Sequence, residues 1–409
     1  MADFTFTPEQ EAGICKIVDW YDNYRHGISQ QVMRMIGPAG SGKTSLMKEI
    51  SVRTKRRIRF GAFAGKAAMV LNNKGCLGAE TLHMMLYEPR GGSMKRYKEE
   101  LAILEQLIDP VAKKKQEELL ASMRDAMSSP GFNKRPTSEF HIMTGFNVDE
   151  VSMVDKFIGG DLCAHNFPIL AVGDPFQLPP VMGTGFFFPK GFVPDIELKA
   201  VHRQAGDSPV LAFATHIRNG KTLPYGRMGE SRVVKTLPLA DYMAHDQILC
   251  GTNKNRIKLN IAIRKALGRK KWLEVGEKMI CLQNNYDVGM MNGSQWEVMF
   301  CEPVERKGQT FYKATLKSLD EEDKIVTTYI HLNPLMEGTG KENKHWTPML
   351  SGIKEAVVMT YGYAITVHKS QGSQWNSVAV FDDWNGTSYA EWLYTAVTRA
   401  AERVTVVKP

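Results

Sequence analysis

The segment Gly37-Pro38-Ala39-Gly40-Ser41-Gly42-Lys43-Thr44 fits the G-x-x-x-x-G-K-[ST] phosphate loop at every position. It also lies in the context that loop requires. Gln31-Val32-Met33-Arg34-Met35-Ile36 reads as a short apolar strand before it, and Ser45-Leu46-Met47-Lys48-Glu49-Ile50 has helical composition after it. The glycines let backbone N–H groups turn inward around a polyphosphate, and the helix N-terminus adds partial positive charge. Lys43 is placed to reach the β- and γ-phosphates, and the Thr44 hydroxyl to ligate Mg2+. The expected ligand is a nucleoside triphosphate with its metal, and the expected fold is an α/β sheet.

At 409 residues the chain has room for two or three domains with separate cores. Its 43% hydrophobic and 23% charged residues are those of a soluble globular protein, and no apolar run approaches the roughly 18 to 20 residues that span a bilayer. Met1-Ala2-Asp3-Phe4 does not open a signal peptide, so a cytoplasmic location is expected, with no membrane partner. The cysteines, at 15, 76, 163, 250, 281 and 301, form no C-x-x-C pair, which argues against zinc, iron–sulfur or disulfide frameworks. A net charge of +8 and a pI near 9.0 favour a polyanionic partner. Basic clusters lie at 53–59, 113–115 and 264–271.

Apolar strand candidates alternate with helical stretches, at 58–63, 167–172, 246–250, 377–381 and 404–407. That alternation predicts parallel sheets covered on both faces. Two stretches break it. Residues 88–140 are charged and read mostly as helix, an insertion between core strands. Residues 298–333 alternate in the strand manner and predict a small antiparallel β module.

Three further elements bear on chemistry. In Asp149-Glu150-Val151-Ser152, one carboxylate suits the metal's water shell and the other suits orienting and deprotonating an attacking water. Thr144, Gly145 and Asn147 interrupt the strand before it. In Gly173-Asp174-Pro175-Phe176-Gln177-Leu178-Pro179-Pro180, the uncharged amide of Gln177 suits the γ-phosphate. Arg203 and Arg399 each offer a planar guanidinium for the transferring phosphoryl group, and the residues alone do not choose between them.

Taken in order, these elements resemble superfamily 1 helicases, and more narrowly the B subgroup that contains the RecD and phage Dda helicases. The resemblance begins at Phe6-Thr7-Pro8-Glu9-Gln10, similar to the Q motif, and passes through the phosphate loop, Ala64-Gly65-Lys66-Ala67-Ala68 (motif Ia) and Thr81-Leu82-His83 (motif Ib). Asp149 to Met153 then stands as motif II and Gly173 to Pro180 as motif III. It continues with Arg203 (motif IV), Gly251-Thr252-Asn253, Asn284-Asn285-Tyr286 with Asn292-Gly293, Thr366 to Ser373 (motif V) and Tyr394 to Ala400 (motif VI). Nearly the whole chain is covered.

The resemblance implies two RecA-like parallel-sheet domains: 1–200, with an insertion at about 88–140, and 201–409, with an SH3-like module at about 296–355. It implies an ATP-dependent DNA helicase that moves 5′ to 3′ on single-stranded DNA, or else a DNA-stimulated ATPase that remodels protein–DNA complexes without separating strands. Gln10, residues Gly37 through Ser45 and Gly372 would hold ATP, Gln10 by the adenine edge; Thr44 and Asp149 would hold Mg2+. Lys43, Glu150, Gln177, Arg203 and Arg399 would carry the chemistry, with Glu150 as base and both arginines facing the γ-phosphate. Family members often carry an acidic residue where Gln374 stands, which leaves the ribose contact open.

Lys66, Thr81, His83, Thr252, Asn253, Thr366, His368, Lys369 and Ser370 sit in motifs similar to the family's strand-binding elements. Phe63, Tyr286, Trp296, Tyr361, Tyr363 and Trp375 are the aromatic candidates for base stacking, not separable by sequence. The partners expected are single-stranded DNA, its junctions with duplex, and single-strand-binding or replication proteins; the compact form resembles phage-encoded helicases, which points to replication or recombination. The chain is expected to act as a monomer, and Lys113 to Lys115 in the insertion to contact duplex ahead of the cleft.

Overall fold

The computed structural model describes residues 6–25, 28–89, 100–104, 107, 109–128, 132–140, 142–180, 185–199, 208–306, 309–332 and 356–409. In its first half, α1 (Pro8–Arg25) precedes β1 (Val32–Ile36), α2 (Lys43–Thr54), β2 (Ile58–Ala62), α3 (Gly65–Asn73), β3 (Glu80–Thr81) and α4 (Leu82–Leu86). Next come β4 (Tyr87–Pro89), α5 (Pro110–Ser128), β5 (Phe132–Lys134), β6 (Gly145–Asp149), α6 (Lys156–Cys163), β7 (Ile169–Gly173) and β8 (Ile196–Glu197).

One sheet runs β3-β2-β6-β7-β1-β8, with every pairing parallel. Being covered on both faces, β6 and β7 are buried at every residue, which is why β7 reads as a continuous apolar run. The polar interruptions in β6 have a packing cause. Asn147 Oδ1 accepts a 2.7 Å hydrogen bond from the buried Tyr21 hydroxyl, and a Cβ at Gly145 would meet the Tyr21 ring at 2.7 Å. Helix α1 therefore seats its tyrosine on that strand. The described part of the insertion places α5 between β4 and β5, which pair antiparallel as a short ribbon, so its base is β-structure and not helix.

The second half holds α7 (Pro209–Arg218), β9 (Gly226–Met228), β10 (Ser231–Val234), α8 (Leu239–Met243), β11 (Gln247–Cys250) and α9 (Asn253–Ala266). It continues with β12 (Lys278–Cys281), β13 (Gln295–Arg306), β14 (Gln309–Ser318), β15 (Ile325–Leu332), β16 (Ala356–Tyr361), β17 (Ala364–Thr366), β18 (Trp375–Phe381), α10 (Tyr389–Val397) and β19 (Ala400–Val407). A second sheet runs β17-β11-β18-β19-β10-β9, parallel except for the β9–β10 edge pair. Strands β12 to β16 close a barrel around the fully buried Trp296, Leu316 and Met359. The β module is thus wider than the 296–355 span: β12 and β16 complete the ring, because an open three-stranded sheet would leave the apolar face of Trp296 uncovered. Residues 333–355 of that span lie outside the described residues.

Candidate functional site

In a parallel sheet all strands end on one edge, and ligands collect beyond that edge. In the first domain this brings together the phosphate loop after β1, Lys66 after β2, Asp149 at the end of β6 and Gln177 beyond β7. From the second domain, Gly372 and Ser373 after β17 and Arg399 after α10 arrive on the opposite wall. A cavity of about 410 Å3 lies between them, lined by Lys43, Thr44, Asp149, Glu150, Gln177 and Arg399 among others.

The phosphate loop is built for close approach to a ligand. Gly40 and Gly42 have φ of 83° and 85°, a region that disfavours side chains. Lys43 Nζ donates to the carbonyls of Gly37 and Pro38 at 2.8 and 2.9 Å, holding its charge at the loop's mouth. Ser41 Oγ is buried with no hydrogen-bond partner among the described residues. Thr44 Oγ1 donates to Asp149 Oδ2 at 3.3 Å, and Asp149 Oδ1 accepts the backbone N–H of Glu150 at 2.9 Å. Glu150 itself has φ 53°, a left-handed conformation for a non-glycine residue at the sheet edge. The residue is partly open to the cleft, yet its carboxyl is enclosed, and burial pushes its pKa above the usual carboxylate range. Arg399 opposes that rise, Asp149 adds to it, and Lys43 opposes it.

Gln177 is 4% exposed, and its Oε1 lacks a hydrogen-bond partner among the described residues. Arg399, also buried, is aimed by two carbonyls: Nε donates to Thr395 O at 3.2 Å and Nη1 to Ser373 O at 3.3 Å. Gln374 lies on the cavity wall as well. Arg203 lies outside the described residues, so Arg399 is the arginine whose position in the cavity is seen. Gln10 is 1% exposed, accepts from Thr7 N at 3.0 Å and donates to Ser41 O at 3.1 Å, so it braces the phosphate loop.

The residues expected to hold a strand divide by burial. His83 is exposed beside Phe63 and Tyr87, and Asn253 is exposed at the start of α9. Thr252 Oγ1 donates to Asp383 Oδ2 at 2.7 Å, Thr366 Oγ1 accepts from Lys369 N at 3.4 Å, and Lys369 Nζ donates to Asn292 Oδ1. His368 stands 5.3 Å from Trp384, ring to ring, and partial burial lowers its pKa. Three are placed otherwise. Ser370 is fully buried and donates to Val367 O at 2.7 Å; Thr81 is 5% exposed and caps α4 through Met84 N; Lys66 is 5% exposed on the cavity wall. Short side chains that satisfy local backbone groups do not reach a ligand as well.

Among the aromatic candidates, Trp296 and Tyr361 are barrel core, Tyr363 Oη donates to Glu277, and Trp375 packs against the Lys66 ammonium. Tyr286, 44% exposed, and Phe63 remain on the surface side. Sequence reading missed Trp384, Asp383, Asp174 and Asp320. Only position after β18, at the same edge as Thr252, signals the first two. Lys113, Lys114 and Lys115 are all exposed on α5.

Comparison with known proteins agrees with this architecture. Residues 24–237, more than half the chain, match the AAA domain family, and residues 361–407 match the UvrD-like helicase C-terminal domain. The chain is 25% identical over 287 residues to the ATP-dependent RecD2 DNA helicase of Deinococcus radiodurans, covering 63% of this chain and 35% of that protein. It therefore spans about a third of that relative's length. It is also 25% identical over 391 residues to the ATP-dependent DNA helicase Pif1 of Campylobacter jejuni, covering 82% of this chain and 79% of that one. Two similar solved structures are Pif1 helicase from Candida albicans (17% identity, 99% and 95% of the two chains, TM-score 0.57) and Bacteroides Pif1 bound to single-stranded DNA (17%, 100% and 95%, 0.56). With a phosphate loop, a motif II carboxylate pair and a motif VI arginine meeting between two RecA-like sheets, the chain belongs to the B subgroup of the superfamily 1 helicases.

Proposed function

We propose that this protein is an ATP-dependent DNA helicase that moves 5′ to 3′ along single-stranded DNA and opens duplex at a junction. The observation that carries the reading is the meeting of Lys43, Glu150, Gln177 and Arg399, drawn from both domains, on one cavity. A site divided between two bodies is completed only when they close, so hydrolysis there is tied to relative motion. The relatives named above are DNA helicases, and one neighbour is bound to single-stranded DNA.

The residues fit a magnesium nucleotide. One hydroxyl and one carboxylate, Thr44 and Asp149, leave the remaining positions to phosphate oxygens and water, the pattern Mg2+ prefers, and Gln177, whose Oε1 has no hydrogen-bond partner among the described residues, lines the same cavity. When bound, the metal would neutralise charge on the β- and γ-phosphates. Lys43 would exchange its loop carbonyls for phosphate, Glu150 would accept a proton from the attacking water, and Arg399 would stabilise charge on the transferring group. Strand phosphates would run along the carboxyl edges of both sheets, past His83, Thr252, Asn253, Thr366, His368 and Lys369.

The test is separation of a fluorescent duplex bearing a 5′ or a 3′ single-stranded tail, beside Lys43→Ala. Opening of the 5′-tailed duplex alone, lost in the variant, is expected. Opening of the 3′-tailed duplex alone would reverse the polarity, and DNA-stimulated hydrolysis with neither opened would make the protein a remodelling ATPase.

A further inference from the structure

The cavity has a wall from an unexpected source. Leu319 and Asp320, in the turn between β14 and β15 of the barrel, line it opposite the phosphate loop. Asp320 Oδ1 accepts from Lys66 Nζ at 2.8 Å, with the two side chains only 9% and 6% exposed. The carboxylate is fixed on its other side: Oδ2 accepts the backbone N–H of Gln295 at 2.6 Å, and Ser318 Oγ accepts from the N–H groups of Asp320 and Glu321. The Lys66 ammonium also lies 5.2 Å from the centre of the Trp375 ring, whose Nε1 donates to Gln295 Oε1 at 3.2 Å. Lys66 thus enters from the first domain and is gripped by the barrel and by β18.

We propose that Lys66 is a nucleotide-site residue and that Asp320 is its competitor, so that the barrel exchanges its hold on Lys66 for ATP phosphate. This rests on the cavity being the ATP site. A buried ammonium that loses its carboxylate must find another anion, and a polyphosphate entering the same cavity is one. Breaking the pair detaches the β14–β15 turn from the first domain. Gln295 follows the Asn292-Gly293 segment, and Asn292 Oδ1 holds Lys369 of the strand edge, so the released turn is continuous with a residue placed to meet the strand. By linkage, a strand that favours the released barrel tightens nucleotide binding, and nucleotide tightens the strand equally.

The experiment measures affinity for a fluorescent ATP analogue with and without oligo-dT in wild type, Asp320→Asn, Lys43→Ala and the double variant Lys66→Gln/Asp320→Asn. Removing the competing charge in Asp320→Asn is expected to raise DNA-free affinity about fivefold or more and to shrink the effect of oligo-dT in proportion. The double variant leaves no unpaired buried charge, so it keeps the test open should the single variant fail to fold; its response to oligo-dT is expected to shrink too. An unchanged response in either folded variant, with Lys43→Ala binding poorly, overturns the proposal alone. Retained analogue affinity in Lys43→Ala would overturn the ATP-site reading itself.

Discussion

Tyr394 on α10 of the second domain donates a 2.7 Å hydrogen bond to Asp174 Oδ2, in the loop after β7 of the first. One residue on, Thr395 Oγ1 accepts the backbone N–H of Leu178 at 2.9 Å, and the Arg218 guanidinium of α7 lies 4.2 Å from the centre of the Phe176 ring. The loop that carries Gln177 is therefore clasped by the same helix that leads to Arg399, which links the two side chains that reach the cavity from the two domains.

Tyr394→Phe removes the donor and leaves a buried carboxylate short of a partner, at a cost of about 1–3 kcal/mol. Because the ring remains, the core around Trp392 and Phe176 should persist. The expected result is a lowered melting temperature and a several-fold fall in kcat for ATP hydrolysis, with KM little altered, read by calorimetry and steady-state kinetics. An unaltered kcat would show that Gln177 and Arg399 are aligned without this bond.

Glu150 yields a pH prediction of definite sign. As a base it must be ionised, and burial raises its pKa, so hydrolysis should decline in acid at a pH above the ordinary carboxylate range. Stability runs the other way. A carboxyl whose folded pKa is raised contributes most below its unfolded pKa, and that contribution is lost as pH rises through the folded value. Glu150→Gln should therefore abolish turnover while raising the melting temperature at neutral pH, a gain that disappears at low pH.

Gly372 has φ 76°, and a Cβ there would meet Ala67 Cβ at 2.9 Å and Ala67 N at 3.1 Å. Two backbones, one from each domain, touch at this point. Gly372→Ala adds left-handed strain of about 1–2 kcal/mol to a contact the neighbouring backbone cannot relieve. The expected outcome is an ATP affinity at least tenfold weaker in a chain that still folds, measured by analogue binding and circular dichroism.

Much of this was legible because parallel sheets advertise themselves. The buried run at β7 and the glycine-spaced loop after β1 announce strand, turn and helix locally, so the phosphate loop, Asp149, Glu150, Gln177 and Arg399 could be named from sequence and are found on one cavity. What escaped depends on contacts distant in the chain. Nothing near Asp320 indicates that a barrel turn meets Lys66, 254 positions away, and the local bond of Gln10 to Ser41 is invisible to a motif. Gly145 and Asn147 looked like flaws in a strand until Tyr21 supplied their cause. Burial, which separates Ser370 from Lys369, is a property of the folded edge and not of the pattern T-V-H-K-S.

Trp384 is the residue by which the strand edge of the second domain is best tested. Its indole is half-buried, nearly parallel to Trp392 at 6.2 Å, and fixed by Nε1 donating to Thr387 O at 3.1 Å, so it is a rigid platform. His368 stands beside it, and the preceding Asp383 organises Gly251, Thr252 and Asn255. A base stacking there would contribute about 1–3 kcal/mol, so Trp384→Ala should weaken oligo-dT binding by about tenfold or more while Trp384→Phe retains most of it. Because the indole also covers Trp392, the alanine variant alone confounds stacking with packing. The phenylalanine variant separates them by restoring folding and binding together if a base stacks on the ring, whereas a folded alanine variant that binds oligo-dT as tightly as wild type would show that the ring is a core residue and that the strand passes elsewhere.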